Sequence, residues 1–123
     1  MSINSGFGND FKSVFVTGGA GYVGHVLVPR LLADGYAVTI FDMLYFGCRL
    51  PNHPKLRVVR GDIRDTAKVA DAMEGHDAVL HLACISNDAS FELDEKLSTS
   101  VNYECFGPMV VAAKRQGIRR FVY

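Results

Sequence analysis

Apolar residues along the chain fall into short β-branched runs separated by stretches with helical spacing. The runs are SVFVT at Ser13 to Thr17, AVTIF at Ala37 to Phe41, LRVV at Leu56 to Val59, AVLHL at Ala78 to Leu82 and FVY at Phe121 to Tyr123. Brief runs of this composition predict strands. Between the first two, Val23, Val26, Leu27 and Leu31 follow i, i+3, i+4, i+8 spacing. That predicts a helix with one apolar stripe, stopping before Gly35. A shorter helix is predicted over Thr66 to Glu74, with Asp65 as its N-cap and Gly75 as its stop. The longest helix is predicted between about Asp94 and Gln116, where Leu97, Val101, Cys105, Met109 and Ala112 keep a near-helical spacing. Acids open it, Lys114 and Arg115 complement its C-terminal dipole, and Gly117 closes it.

Strands alternating with helices need crossover connections, and crossovers make a parallel sheet covered on both faces. The fold class predicted is α/β, a doubly wound parallel sheet with the first strand central. No repeat, low-complexity tract or linker divides the chain. Residues 1–12 are expected to be a flexible leader and residues 13–123 a single domain. With 123 residues, 49% of them hydrophobic, the chain can bury one core but is small for a complete two-substrate enzyme.

Charge and cysteine content narrow the partners. The formal net charge is zero, which gives no electrostatic reason to expect nucleic acid or an anionic membrane. Lys114, Arg115, Arg119 and Arg120 read as the solvated flank of a helix end. Cys48, Cys84 and Cys105 are widely spaced without a C-x-x-C. Neither a disulfide framework nor a zinc knuckle is indicated, and a reducing, cytoplasmic setting is expected. The polar start MSINSGFGNDFK has no apolar segment of the signal-peptide kind, and no run is long enough to span a membrane.

The candidate chemistry sits in VFVTGGAGYVGHVL, Val14 to Leu27, which places four glycines in seven positions where a strand turns into a helix. A helix N-terminus offers unpaired N–H groups and partial positive charge, so a pyrophosphate fits there. Gly18 permits the tight turn, Gly21 lets phosphates approach the main chain, and Gly24 removes a side chain where helix meets strand. An ordinary glycine-rich turn is the alternative. The context weighs against it, because the second strand ends in Asp42, 24 residues after Gly18, where a carboxylate can accept from a ribose diol. Asp42 could instead merely begin the next turn.

An acid at that position repels a 2′-phosphate, and no Arg or Lys follows until Arg49. NAD is therefore favoured over NADP, with FAD a less favoured choice. In RGDIRD, after the third strand, Asp62 could accept from an adenine amino group while Ile63 packs on the ring. A turn and helix cap is the other reading, and Asp65 is assigned that role. His76, His81 and Cys84 are only loosely ligand-like, and no metal is expected. His81 reads as a strand-end residue satisfied by hydrogen bonds and His25 as an exposed helix residue.

Together VTGGAGYVGHVLV, the strand-end FD, GDIRD, HLA at His81 to Ala83, and VNYECFGPMVVAAKRQGIRRFVY resemble the extended short-chain dehydrogenase/reductase family. More narrowly the chain is similar to the NAD-dependent sugar-nucleotide epimerase/dehydratase branch, from about residue 13 onward. The resemblance implies a Rossmann-type sheet, here truncated in the fifth strand as the N-terminal portion of a longer protein. It implies that Gly18, Gly21, Tyr22 and Val23 hold the pyrophosphate, Asp42 the adenosine ribose, and Asp62 with Ile63 the adenine. Leu82, Ala83 and Cys84 would border the nicotinamide half. Cys84 stands where the family usually has alanine and is expected to be a buried small hydrophobe, not a nucleophile.

Asn102 matches the family's asparagine near the cofactor's ribose side. A buried hydrogen-bonding role is expected for it, because Val101 and Cys105 bracket the same face. Ser86, Asn87 and Asp88 could touch nicotinamide ribose or substrate, or simply make a polar turn. The family's chemistry needs a tyrosine with a lysine four residues on, and none of Tyr22, Tyr36, Tyr45, Tyr103 or Tyr123 has one. The resemblance implies a nucleotide-sugar substrate and a homodimer for the complete protein, with the 123-residue chain binding NAD but inactive alone. A noncatalytic NAD(P)-sensing module with the same fold is the alternative, and a plain structural domain a third.

Overall fold

The computed structural model describes residues 11–84 and 95–123. The expected leader falls almost wholly outside them, as do Ser86, Asn87 and Asp88. Five strands, β1 (Ser13–Thr17), β2 (Ala37–Asp42), β3 (Leu56–Arg60), β4 (Ala78–His81) and β5 (Arg120–Val122), form one sheet in the order β3-β2-β1-β4-β5. Every neighbouring pair is parallel, with β1 central, Val14 beside Val38 on one flank and beside Ala78 on the other. The doubly wound Rossmann-type sheet is thus present, and strand order reverses across β1 and β4.

Period-two alternation divides the core between the two faces. Val14 and Val16 of β1, with Val38 and Ile40 of β2, pack under helix α1 (Tyr22–Ala33) against Val28, Leu31 and Leu32. Phe15, Phe41 and Val79 point to the other face and meet helix α2 (Thr66–Met73) through Val69 and Met73. The same layer takes Met109 and Ala113 from α4 (Phe106–Arg115), and each fully buried large side chain contributes about 1.5–3 kcal/mol. Asp65 caps α2 as expected, its carboxylate accepting the Lys68 N–H at 3.2 Å. At the β3 edge the cover thins, and Arg57 and Val58 are exposed.

Two helices differ from expectation. In α1 the buried positions are Gly24, Val28, Leu31 and Leu32, while Val23 and Val26 face outward. The helix is apolar on both sides, so periodicity alone does not orient it. Contact at Gly24 does: a Cβ there would lie 2.1 Å from the Gly19 carbonyl oxygen, so the helix seats its bare position on the preceding loop and carries 28 and 31 inward with it.

The long helix is not continuous α. It runs as α3 (Glu95–Thr99), a π-helical turn at Ser100–Glu104, and then α4. In the widened turn the Cys105 N–H reaches back five residues to the Ser100 carbonyl at 3.2 Å. Pro108 explains the break, since its ring lacks an N–H and crowds the carbonyl four residues earlier, that of Glu104.

Candidate functional site

The glycine loop bridges β1 and α1 and is held at both ends by main-chain bonds. The Gly18 N–H donates to the Phe41 carbonyl at 2.8 Å, and the Gly21 N–H to the Gly18 carbonyl at 3.1 Å. Gly18 has φ +69°, and a Cβ there would lie 2.7 Å from the main chain of Ala83. No side chain fits in that conformation and that space. A Cβ at Gly19 would run into Ile40, whereas at Gly21 only the Gly18 carbonyl comes near, at 3.2 Å. The surface over Gly21 is therefore open. Beside it the first-turn N–H groups of α1 have no intrahelical acceptors. Gly24 meets the loop's own backbone rather than the strand.

Asp42 closes the other side. Its Oδ2 accepts the Ala20 N–H at 3.1 Å and its Oδ1 the Leu44 N–H at 2.8 Å. The second bond fastens Leu44 in a left-handed conformation, φ 58°, a strained setting for a side chain of this size. The carboxylate faces the glycine turn, and spare lone pairs remain for a diol.

Two adjoining cavities of about 140 and 270 Å³ share Gly18, Asp42, Tyr45, Ala83 and Cys84 in their walls. The smaller continues over Asp62 and Ile63, the larger over Gly21, Tyr22, Val23 and Leu82. Ten of the eleven expected site residues thus line one crevice at the carboxyl ends of β1, β2 and β4, where open α/β sheets place ligands. Asn102 does not join them. It is exposed on the π-helical turn, not buried, and lines a separate hollow with Tyr103, Phe106 and Tyr123, because it points about a quarter-turn away from the Val101 and Cys105 side. Cys84 is also exposed rather than buried, since it lies past the end of β4 on the crevice wall.

Asp62 is clasped by Arg64. The guanidinium Nε donates to Oδ1 at 2.9 Å and Oδ2 at 3.0 Å, Nη2 adds a further ion-pair contact to Oδ2, and the Arg64 N–H reaches Oδ1 at 2.9 Å. Hydrogen bonding from Arg64 holds the Asp62 carboxyl below its ordinary range. His81, at the end of β4, is satisfied, as expected: its Nδ1 lies 2.6 Å from Thr17 Oγ1, which also accepts the Ala83 N–H at 3.3 Å. Burial pushes the His81 imidazole pKa down, so the neutral ring is favoured. Tyr45 and Arg64 are wall residues that sequence reasoning missed. The aromatic stretch after Asp42 was a usable signal for the first, whereas nothing local distinguishes Arg64 from an ordinary helix lead-in.

The chain belongs to the NAD dependent epimerase/dehydratase family, which it matches over residues 14–123. It is 41% identical over 118 residues to the 3-beta-hydroxysteroid dehydrogenase of Mycolicibacterium neoaurum, covering 93% of this chain and 32% of that protein. An epimerase from Methanothermobacter thermautotrophicus superposes with a TM-score of 0.85 at 32% identity, over 93% of this chain and 35% of the other. UDP-glucose 4-epimerase from Thermus thermophilus, solved as a complex with NAD, gives 0.80 at 30% identity, over 90% and 36%. The chain spans about a third of the length of these relatives. NAD is the cofactor of the family, and the open surface over Gly21, the bare helix end and the inward carboxylate of Asp42 fit it.

Proposed function

We propose that residues 13–123 are the NAD-binding domain of an enzyme that transiently oxidises a nucleotide sugar in an epimerase or dehydratase reaction. The observation that carries this reading is the bond from Ala20 to Asp42, which sets the phosphate turn and the ribose acceptor side by side. Main-chain N–H groups at Gly21, Tyr22 and Val23 would take the diphosphate, Asp42 the adenosine ribose, Asp62 and Ile63 the adenine edge and face. Leu82, Ala83 and Cys84 would flank the nicotinamide. Bound NAD supplies a hydride acceptor and returns the hydride later; these residues hold and orient it. Asn102 would meet cofactor or substrate only from the π-helical turn.

Calorimetric titration of the 123-residue chain with NAD, NADP and FAD tests this. One-to-one NAD binding with a raised melting temperature is expected; no heat and no shift would leave a structural domain. The chain alone is expected to turn over no nucleotide sugar, since it contains no Tyr-x-x-x-Lys. Activity of the whole protein on UDP- or dTDP-hexose would favour the enzyme, and NAD binding without turnover of any alcohol would favour the sensing module. A second substrate reading, oxidation of a hydroxysteroid, is favoured by the 41% identity to an enzyme of that name; NADH formation from a 3β-hydroxysteroid would establish it. A homodimer is the assembly proposed for the whole protein. Free thiols at Cys48, Cys84 and Cys105 suit a reducing cytoplasm; among the described residues no helix is long and apolar enough to cross a membrane.

A further inference from the structure

The Arg64 guanidinium is the cation that shares the smaller cavity with Asp42 and Tyr45. A cation beside an adenosine ribose is what a protein uses to accept a 2′-phosphate. Here that cation is spoken for. Asp62 grips it through Nε and Nη2, and Nη1 donates to Ser100 Oγ at 3.3 Å. Ser100 is itself anchored to the Leu97 carbonyl at 2.8 Å. The fork is thus tied to the α2 entry turn on one side and to the π-helical turn on the other.

We propose that Asp62 is a specificity-determining residue that acts through Arg64: by neutralising and immobilising the guanidinium, it denies the adenosine site the positive charge that NADP would need. The inference rests on the reading of this crevice as the dinucleotide site. It bears on the adenine contact as well, because both Asp62 oxygens already accept from Arg64 and an adenine amino group would have to share them. Discrimination against a 2′-phosphate then has two parts. Asp42 supplies repulsion, and Asp62 withholds attraction.

The test is calorimetric titration of the 123-residue chain with NAD and NADP for wild type, Asp62→Asn, Asp62→Glu, Arg64→Met and the Asp62→Asn/Arg64→Met pair. Asn keeps the Oδ1 acceptor for the Arg64 N–H but loses the charge. Asp62→Asn is expected to raise NADP affinity relative to NAD by about five- to tenfold, the effect of unmasking one charge in a partly solvated groove. Adding Arg64→Met should abolish the gain, Asp62→Glu should keep the wild-type ratio, and Arg64→Met alone should shift it further toward NAD. Equal losses of both affinities in Asp62→Asn would mark an adenine contact only and overturn the inference, as would a ratio that does not move. If wild type binds neither nucleotide, the reading of the crevice fails first. Melting temperatures without ligand separate a folding defect from a change in ratio.

Discussion

The carboxylate of Asp42 and the N–H of Ala20 meet at 3.1 Å across 22 residues of sequence, joining the end of β2 to the glycine loop. One side chain therefore sets both the shape of the phosphate turn and the place where a ribose would be recognised.

Replacing it should show both roles. Asp42→Ala is expected to lower stability by about 1.5–3 kcal/mol, because the Ala20 and Leu44 N–H groups lose a charged acceptor. It should weaken NAD binding by about tenfold or more and narrow the preference over NADP. Urea unfolding and calorimetry on the same samples measure the two effects separately.

Glycines in this chain differ in what surrounds them, and alanine substitution should sort them. Gly24→Ala places a methyl against the Gly19 carbonyl and is expected to cost about 1–3 kcal/mol or to prevent folding. Gly107, in α4, has nothing within 4 Å of its Cβ position. Gly107→Ala should stabilise by about 0.5–1 kcal/mol. Midpoints of urea denaturation give the comparison.

The orientation of α1 can be tested on the same helix. Val28 is fully buried and Val26 is 70% exposed. Val28→Ala should cost on the order of 2 kcal/mol, and Val26→Ala should stay within about 0.5 kcal/mol. The opposite order would restore the outward stripe as the core face.

Stability should fall on acidification in two windows. The Asp77 carboxylate accepts the Lys12 N–H at 2.7 Å and the Ser13 N–H at 3.0 Å, and these bonds, the Lys12 bond foremost, hold its pKa low. The unfolded chain then binds more protons, so this contribution is present above the ordinary value of about 3.9 and is lost as pH falls through the folded value. His81, lowered by burial, behaves likewise from an ordinary value of about 6.5 downward. Denaturation midpoints against pH should show Asp77→Asn flattening the lower window and His81→Asn the upper.

Strand positions were legible because short β-branched runs between helical stretches are a local signal, although only the structure shows that Val14 and Val16 go to one face and Phe15 to the other. The glycine turn and Asp42 were legible for the same local reason, since a strand, a turn and an acid at a set interval are visible in one dimension. Helix rotation was not. In YVGHVLVPRLLA apolar residues ring the helix, and the deciding contact, Gly24 on Gly19, is a close approach of two backbones. Pro108 did advertise the break before α4, a signal that a count of apolar positions overlooks. Arg64 folding back on Asp62 left no periodic trace at all.

Gly18 has a consequence for how this protein can change over generations. A Cβ at that position would lie 2.7 Å from the main chain of Ala83, just past the end of β4, the strand that pairs with β1. Any heavier atom there is a wedge, so drift toward a different ligand must proceed through the neighbouring walls and not through this glycine.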